Sequence, residues 1–259
     1  MFSPREYNSS IAMDEALNFQ DIKKTYQSKH GPVVALTGIS FAIQPGEFFG
    51  LLGPNGAGKS TLINILAGSV EKSSGSASVL GLDLDKDPAG LKYLIGVVPQ
   101  EVAFDPFFTI ERTLRFQFGY YNQKVDEAHL DYVLTRLSLK DKKDMKPRML
   151  SGGMKRRLMI AKALIHKPKI LILDEPTAGV DVELRHQLYD LVRELNAAGT
   201  TIILTSHYLE EVELLCERVA IINKGELVAL DHKDKLKDQF KMNKLEDVFL
   251  ELTKAETPT

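Results

Sequence analysis

The stretch "GPNGAGKST" at residues 53–61 brings glycines, a lysine and two hydroxyls into one short segment. It fits Gly-x-x-x-x-Gly-Lys-[Ser/Thr], the spacing of a phosphate-binding loop. Glycine reaches backbone conformations that side chains disfavour, so successive N–H groups can turn toward a phosphate. The predicted members of the loop are Gly53, Pro54, Asn55, Gly56, Ala57, Gly58, Lys59, Ser60 and Thr61.

The segments around the loop predict a strand before it and a helix after it. Apolar "EFFGLL" precedes the loop, and Leu62, Ile65 and Leu66 follow at helical spacing. The start of a helix adds partial positive charge beside the loop. We expect Lys59 to reach the β- and γ-phosphates of a nucleotide and Ser60 to hold Mg²⁺. The alternative is a glycine-rich turn before a core helix.

Adjacent carboxylates, Asp174 and Glu175, end the apolar run "KILILDEP". The carboxyl end of a buried parallel strand opens into the crevice where open α/β sheets bind ligands. One carboxylate can hold Mg²⁺ through its water shell, and the other can accept a proton from an attacking water. Alone, such a pair is typical of a solvated strand end, but beside a phosphate loop it indicates catalysis.

Gln100 and His207 also end apolar runs, in "VVPQ" and "ILTSH". Parallel strands align their carboxyl ends, so both residues are expected at the edge that carries the phosphate loop. Gln100 is suited to sensing metal or water, and His207 to hydrogen-bonding the γ-phosphate or the attacking water. A lone Gln or His at a strand end most often has no such function.

A second glycine pair, in "LSGGMKRR", precedes a segment with helical periodicity. Bare backbone and a hydroxyl at the start of a helix predict a second phosphate contact at Ser151, Gly152 and Gly153. The alternative is a serine N-cap with glycines for a tight bend. Arg156 and Arg157 would then be ordinary solvated charges.

The periodicity along the chain alternates between strand and helix, which indicates an α/β fold. Strands are predicted at 17–26, 33–44, 47–53, 75–84, 93–100, 168–174 and 200–206, with a hairpin at 219–230. Helices are predicted at 109–121, 125–139, 154–166, 182–197 and 208–218. The helical block between 101 and 165 suggests an inserted lobe.

Composition narrows the class of protein. Of 259 residues, 44% are hydrophobic, enough for a full core, and the formal charge of −2 argues against nonspecific nucleic-acid binding. The single cysteine, Cys216, excludes an internal disulfide. No apolar run approaches the ~20 residues that span a bilayer, and the polar start lacks the pattern of a secretory signal. Met1 and Met13 are both candidate starts.

Together these motifs resemble the nucleotide-binding subunit of an ATP-binding-cassette (ABC) transporter over about residues 17–252. Tyr26, the loop at 53–61, Gln100, "LSGGM", "LILDEP" and His207 follow the order of that family. The resemblance implies ATP and Mg²⁺ as ligands and a P-loop NTPase fold: a RecA-like core, an N-terminal antiparallel β region and an inserted α-helical lobe.

The resemblance also implies a role for each site residue. Tyr26 would stack on adenine, Asp174 would support Mg²⁺ together with Ser60 and Gln100, and Glu175 would be the general base. His207 and Gln100 would assist catalysis, and Asp181 would couple two sites across a dimer. The "AGVD" at 178–181 departs from the commoner Ser-Ala-Leu-Asp but keeps the aspartate.

The implied organisation has a core at 17–100 and 166–230, a lobe at 101–165 and C-terminal helices at 231–252, between polar tails at 1–16 and 253–259. Such a subunit would form a homodimer. It would lie at the cytoplasmic face of the membrane, attached through a separate integral membrane permease, and no nucleic-acid partner is expected. The lobe would dock that permease, and "FDPFF" at 104–108 could contribute exposed aromatics or pack inside the lobe.

"SGGMKRRL", "TAGVD" and "LEDVFLELT" resemble the ABC-2-type branch, which exports drugs, lipids or polysaccharides. One alternative is a soluble ABC ATPase that acts in translation or DNA repair, although the chain has neither two cassettes nor long coiled-coil arms. Another is a GTPase, because "NKGE" at 223–226 faintly resembles a guanine-reading Asn-Lys-x-Asp, but it equally suits a hairpin turn.

Overall fold

The structure is a computed structural model that describes residues 15–100, 105–177 and 182–254. Two β-sheets and a group of helices make up this part of the chain. The described helices are α1 (Lys59–Leu66), α2 (Pro88–Leu94), α3 (Ile110–Tyr120), α4 (Glu127–Arg136), α5 (Gly152–Leu164), α6 (Val182–Ala197), α7 (Leu209–Leu215), α8 (Lys233–Phe240) and α9 (Leu245–Thr253).

The first sheet is antiparallel, as the family resemblance predicted. Its strands are β1 (Leu17–Ser28), β2 (Gly31–Ile43), β4 (Ser74–Val79) and β5 (Leu82–Asp83), in the order β2-β1-β4-β5. The single strand predicted at 75–84 is wrong in detail, because Leu80 and Gly81 have φ of 47° and 75° and turn the chain between β4 and β5.

The second sheet is largely parallel and carries the ends of the predicted site strands. Its members are β3 (Phe48–Leu52), β6 (Ile95–Val98), β7 (Ile170–Asp174), β8 (Thr201–Thr205), β9 (Arg218–Asn223) and β10 (Glu226–His232), in the order β10-β9-β3-β8-β7-β6. Only the β9–β10 pair is antiparallel within it. Strands β3, β7 and β8 are buried along their whole length, which explains their near-continuous apolar sequence.

Alternate residues of the parallel strands enter two separate cores. Leu171 and Leu173 of β7 pack with the helices between β6 and β7, whereas Ile170 and Ile172 pack with α1 and the antiparallel sheet. This follows from the two-residue repeat of a strand, which sends successive side chains to opposite faces. The parallel sheet is therefore covered on both sides and exposes its carboxyl edge.

Helices α3, α4 and α5 lie between β6 and β7 in the sequence, within the predicted lobe. Each begins at a residue whose side chain caps a backbone N–H: Thr109, Asp126 and Ser151. Their apolar faces share one core with the parallel sheet. Capping and periodicity together explain why these helices were predictable.

Helix α2 was not predicted, and the strand expected from residue 93 starts only at Ile95. Asp87 caps the helix by accepting from the Gly90 N–H at 2.9 Å, and Pro88 occupies the first turn. Only Leu91 of this helix is buried, so its apolar periodicity is weak.

Residues 223–226 form the turn between β9 and β10, with Lys224 and Gly225 at φ of 50° and 82°. The hairpin predicted at 219–230 is confirmed. The segment that resembled a guanine-reading motif is thus the hairpin turn. Within the three described ranges, every helix is too short or too polar to cross a membrane.

Candidate functional site

The phosphate-type loop joins β3 to α1, and its glycines are required by its shape. Gly58 precedes α1 with φ of 111°, and Gly56 has φ of 80°. A Cβ on Gly58 would lie 2.7 Å from the Ala35 carbonyl oxygen, closer than real Cβ contacts allow. Glycine is therefore the residue that this close approach of backbones permits.

Lys59 lies in the loop with its ammonium half-buried. Its Nζ donates to the carbonyl oxygens of Gly53 at 2.6 Å and Pro54 at 3.1 Å. Burial lowers the pKa of Lys59, and the nearby carboxylates Asp174 and Glu175 raise it. An ammonium carries three donors, so it can keep these loop contacts and also donate to a phosphate.

A cavity of about 330 Å³ opens beside the loop at the carboxyl edge of the parallel sheet. It unites the loop with the carboxylates and the glutamine that the sequence singled out. Its lining residues are Ala35, Asn55, Gly56, Ala57, Gly58, Lys59, Ser60, Thr61, Gln100, Asp174 and Glu175.

Asp174 is the last residue of β7 and is 8% exposed. It pairs with Thr205 of β8, and the Thr205 hydroxyl donates to Asp174 Oδ1. The second carboxylate oxygen, the Ser60 hydroxyl and the Gln100 amide oxygen are the hard oxygen ligands that Mg²⁺ prefers. These three residues therefore fit a magnesium ion that keeps waters and phosphates as its other ligands.

Glu175 follows in a left-handed conformation with φ of 49°, unusual for a residue with a side chain. Its N–H is held by the Thr205 carbonyl at 3.0 Å and hydroxyl at 3.3 Å. This conformation costs roughly 1–3 kcal/mol, which the contacts of the backbone with β8 must offset.

Two side chains hold the Glu175 carboxylate, one at each oxygen. Gln100 Nε2 donates to Oε2 at 3.0 Å, and His207 Nδ1 lies 3.3 Å from Oε1. The carboxylate is thus fixed at the mouth of the cavity, with the side chain 13% exposed. The structure brings together Gln100, Glu175 and His207, as the alignment of strand ends predicted.

Tyr26 lies on β1 beside the loop. Its hydroxyl donates to the Thr61 hydroxyl at 3.4 Å, and Lys24 Nζ lies 4.8 Å from the ring centroid. The ring is 36% exposed. Stacking on adenine is compatible with this place and stays a prediction.

Ser151 does not line the cavity that holds the loop. It is the N-cap of α5, where its hydroxyl accepts from the Met154 N–H at 3.3 Å, and it is exposed together with Gly152. Gly153 is half-buried in the next position of the helix. The capping alternative therefore describes the isolated chain, and a phosphate contact stays a prediction. Asp181 lies outside the described residues.

The interpretation of Arg156 as solvated charge is wrong. Arg156 is 4% exposed and donates to backbone carbonyls at the ends of β6 and β7. Burial lowers the pKa of this guanidinium, while Asp174 and Glu175 raise it. Arg157 donates to the Leu137 carbonyl at 3.1 Å, inside the helical region. Nothing in "MKRR" distinguishes the two arginines beforehand.

Glu211 is a second buried charge that sequence reasoning missed. The Thr177 hydroxyl donates to one carboxylate oxygen, and the Ser206 hydroxyl donates to the other at 2.9 Å. Ser206 directly precedes His207, and its hydroxyl also accepts from the Tyr208 N–H at 3.0 Å. Glu211, 3% exposed, therefore fixes the turn that presents His207.

Among the described residues, no three His, Cys, Asp or Glu side chains cluster as a metal site of their own.

A family model described as "ABC transporter" matches residues 36–178, more than half of the chain. The chain belongs to the ABC transporter family. Its phosphate loop, carboxylate pair and helix cap are thus parts of an ABC ATPase that binds and hydrolyses ATP with Mg²⁺.

Curated relatives cover most of the cassette. The chain is 45% identical over 222 residues to a linearmycin resistance ATP-binding protein of Bacillus subtilis, covering 85% of this chain and 70% of that protein. It is 41% identical over 215 residues to the Nod factor export ATP-binding protein I of Burkholderia thailandensis, covering 82% and 69%. These relatives support a transporter ATPase rather than an ABC ATPase of translation or DNA repair.

Solved structures give the same fold. An ATP-binding subunit of an ABC transporter matches with a TM-score of 0.84 and 29% identity, covering 92% of this chain and all of that one. A dimeric ATP-binding cassette in a post-hydrolysis state with ADP and Pi matches with a TM-score of 0.76 and 25% identity, covering 83% and 98%. The P-loop NTPase fold predicted from the sequence is confirmed.

Proposed function

We propose that this ABC ATPase works as a pair of identical subunits that close head to tail over two ATP molecules and drive export through a separate membrane subunit. One observation carries the pairing. The cavity of one chain contains the phosphate loop, Asp174 and Glu175, whereas the exposed Ser151 end of α5 lies outside it. A second copy would supply the missing phosphate contact, which is in keeping with the dimeric cassettes among its structural neighbours.

In this proposal the loop and Lys59 hold the phosphates, and Tyr26 holds the base. Ser60, Asp174 and Gln100 would hold Mg²⁺, which when bound neutralises phosphate charge. Ser151, Gly152 and Gly153 of the partner copy would meet the γ-phosphate with a helix N-terminus, where anions are favoured. Phosphate charge then joins the two copies, and its loss on hydrolysis loosens them.

Glu175 acts as the general base in this scheme. A base must lie within hydrogen-bond reach of the proton that it removes, so its carboxylate has to be held still. Gln100 and His207 provide that support at its two oxygens, 3.0 and 3.3 Å away. Asp181 is proposed to couple the two ATP sites across the dimer.

The direction and the partner rest on relatives and on one surface. The names of the relatives concern linearmycin resistance and Nod factor export, which favours export. On the helical region, Phe107 is 75% exposed and Phe116 is 51% exposed. Phe108 is half-buried and packs edge-on against Phe116 with ring centroids 4.7 Å apart, and Phe104 of "FDPFF" lies outside the described residues.

We propose that this aromatic surface docks a permease at the cytoplasmic face of the membrane. A tagged chain purified from detergent-solubilised membranes should then retain an integral membrane protein. The Phe107→Ser/Phe116→Ser double variant should lose that protein while its ATP affinity stays unchanged. Retention of the membrane protein by the double variant would place the contact elsewhere.

The deciding experiment for the ATPase pair uses Glu175→Gln. Without a base, the rate constant kcat is expected to fall by about 10³-fold or more, while ATP still binds. Light scattering after size exclusion should find dimers for this variant in ATP and monomers in ADP. Lys59→Ala, which loses phosphate affinity, serves as the control that stays monomeric. Wild-type turnover by Glu175→Gln, or a monomer at saturating ATP, would refute the scheme.

A further inference from the structure

The second turn of α5 carries a buried cation that the ATPase scheme does not use. We propose that Arg156 is a positioning residue: it ties the helix that begins at Ser151 to the strand ends that carry Gln100 and Glu175 in the same chain. The inference rests on the proposed function of Glu175 as the general base.

Arg156 reaches the backbone on both sides of Glu175. Its Nε donates to the Pro176 carbonyl at 3.0 Å, and its Nη2 donates to the Asp174 carbonyl. The same guanidinium spans to the end of β6, where Nη1 donates to the carbonyls of Pro99 and, at 3.3 Å, Gln100. One side chain therefore bridges the peptide units next to Gln100 and Glu175.

The geometry of these contacts requires a guanidinium. Arginine presents its N–H donors in a planar fork with fixed directions, so several acceptors can be held at once in fixed relative positions. Lysine presents a single nitrogen on a flexible stem. Since the acceptors are main-chain oxygens, a shift of Arg156 moves the backbone from which the Gln100 and Glu175 side chains project.

A merely space-filling role is disfavoured by the cost of burial. A charged group that is 4% exposed loses most of its hydration, and within the described residues its hydrogen bonds go to main-chain carbonyls rather than to a carboxylate. An apolar side chain would fill this volume without that cost. The compensation comes from the carbonyls and from the field of Asp174 and Glu175 across the site.

Arg156 has a matched neighbour for comparison. Arg157 donates through Nη1 to the carbonyls of Leu137 and Ser138 at 3.1 and 3.4 Å, so it is also a guanidinium on main-chain oxygens. Its acceptors follow α4 and belong to neither β6 nor β7. The two arginines differ in burial, because Arg156 is buried and Arg157 is half-buried, and in which backbone they hold.

The experiment compares Arg156→Lys with Arg157→Lys in the full-length chain. Arg156→Lys keeps the charge but loses the fork, so kcat is expected to fall roughly 10- to 100-fold, the penalty typical of small misplacements of catalytic groups. The Kd for a fluorescent ATP analogue should stay within about twofold, because the phosphate loop is intact. Arg157→Lys should keep kcat within about twofold. Arg156→Gln gives a second measure if the lysine variant does not fold.

A double variant tests whether Arg156 acts through Glu175. In the Glu175→Gln background, adding Arg156→Lys should change the residual turnover by less than about twofold, since effects of residues that act as a unit are non-additive. A full further drop would make the role purely structural and overturn the inference. A wild-type kcat for Arg156→Lys would also overturn the inference. Failure of the proposed function itself has a different signature: Glu175→Gln alone would keep normal turnover.

Discussion

At the scale of single residues, the phosphate loop depends on where a side chain would have to go. Gly56 and Gly58 both have positive φ, but of these two only Gly58 lies against other backbone, because a Cβ on Gly56 would meet no atom of the described residues within 4 Å. A side chain on Gly56 would meet only the cost of the left-handed conformation, whereas a side chain on Gly58 would also meet the cost of the close approach.

Gly58→Ala is therefore expected to be more destabilising than Gly56→Ala. Left-handed strain costs each alanine roughly 1–3 kcal/mol, and overpacking at Gly58 adds about 1–3 kcal/mol more. Urea unfolding of the two variants at equal ionic strength measures the difference. Equal unfolding free energies would mean that the loop and the Ala35 backbone move apart freely.

Local spacing in the sequence predicted which side chains meet at the cavity beside the loop, Lys59, Ser60, Asp174 and Glu175 among them. The members of 53–61, Asp174 and Glu175 stand in motifs because a phosphate and a metal ion require fixed donors in a fixed order. Arg156 stands in no such order, because its acceptors are main-chain oxygens at least 18 residues away. Glu211 has a nearby partner in Ser206, but its other partner, Thr177, is 34 residues away. Their functions follow mainly from tertiary contacts.

At the scale of elements, strand and helix identity followed from periodicity wherever a segment had one buried face. The buried strands β7 and β8 were predicted to within two residues of their ends, because a short, nearly all-apolar run is typical of a strand that is buried on both faces. Helix α2 was missed because one buried leucine gives no period to detect. The break between β4 and β5 depends on a left-handed Leu80, which no rule assigns to leucine.

The junction of α5, β6 and the end of α3 holds a buried histidine, His166. Its Nε2 pairs with the Ile95 carbonyl at 3.1 Å, and its ring stacks on Tyr121 with centroids 3.9 Å apart. Within the described ranges Nδ1 has no hydrogen-bond partner. Burial, helped by the charge of nearby His129, lowers the pKa of His166 to about 4.

This pKa predicts a loss of stability in mild acid. The unfolded chain takes up a proton near pH 6.5, the folded chain only near pH 4, so the contribution is complete above pH 6.5 and falls as the pH drops between these values. It amounts to about 3 kcal/mol at most, at 1.36 kcal/mol per pKa unit. Between pH 7 and pH 4, the unfolding free energy of the wild type should fall by that amount relative to the unfolding free energy of His166→Gln.

His129, whose pKa burial also lowers, contributes in the same direction in both proteins, so most of its effect cancels in the comparison. His186→Gln, at an exposed position of α6, is the matched control. If its difference from wild type follows the same pH course, the acid sensitivity does not come from the buried junction.

At the scale of the whole molecule, the two phosphate-type devices are separated within one chain. The loop after β3 opens into the cavity, and the cap of α5 faces outward beyond it. Two copies arranged head to tail would place each cap over the other copy's loop. Each complete site would therefore combine residues from both copies.

Mixing two inactive variants should restore turnover. Lys59→Ala disables a loop but keeps its own Ser151, and Ser151→Ala disables a cap at a cost of about 1 kcal/mol in helix stability but keeps its own loop. In a mixed dimer, the loop of the second variant meets the cap of the first, so one complete site forms. ATPase activity of an equimolar mixture is expected to rise to at most about half of wild type, because each mixed dimer has one working site of two. Pull-down of Ser151→Ala through a tag on Lys59→Ala, in the presence of ATP, checks that mixed dimers form. If the mixture stays as inactive as its components although mixed dimers form, each cap must serve the loop of its own chain.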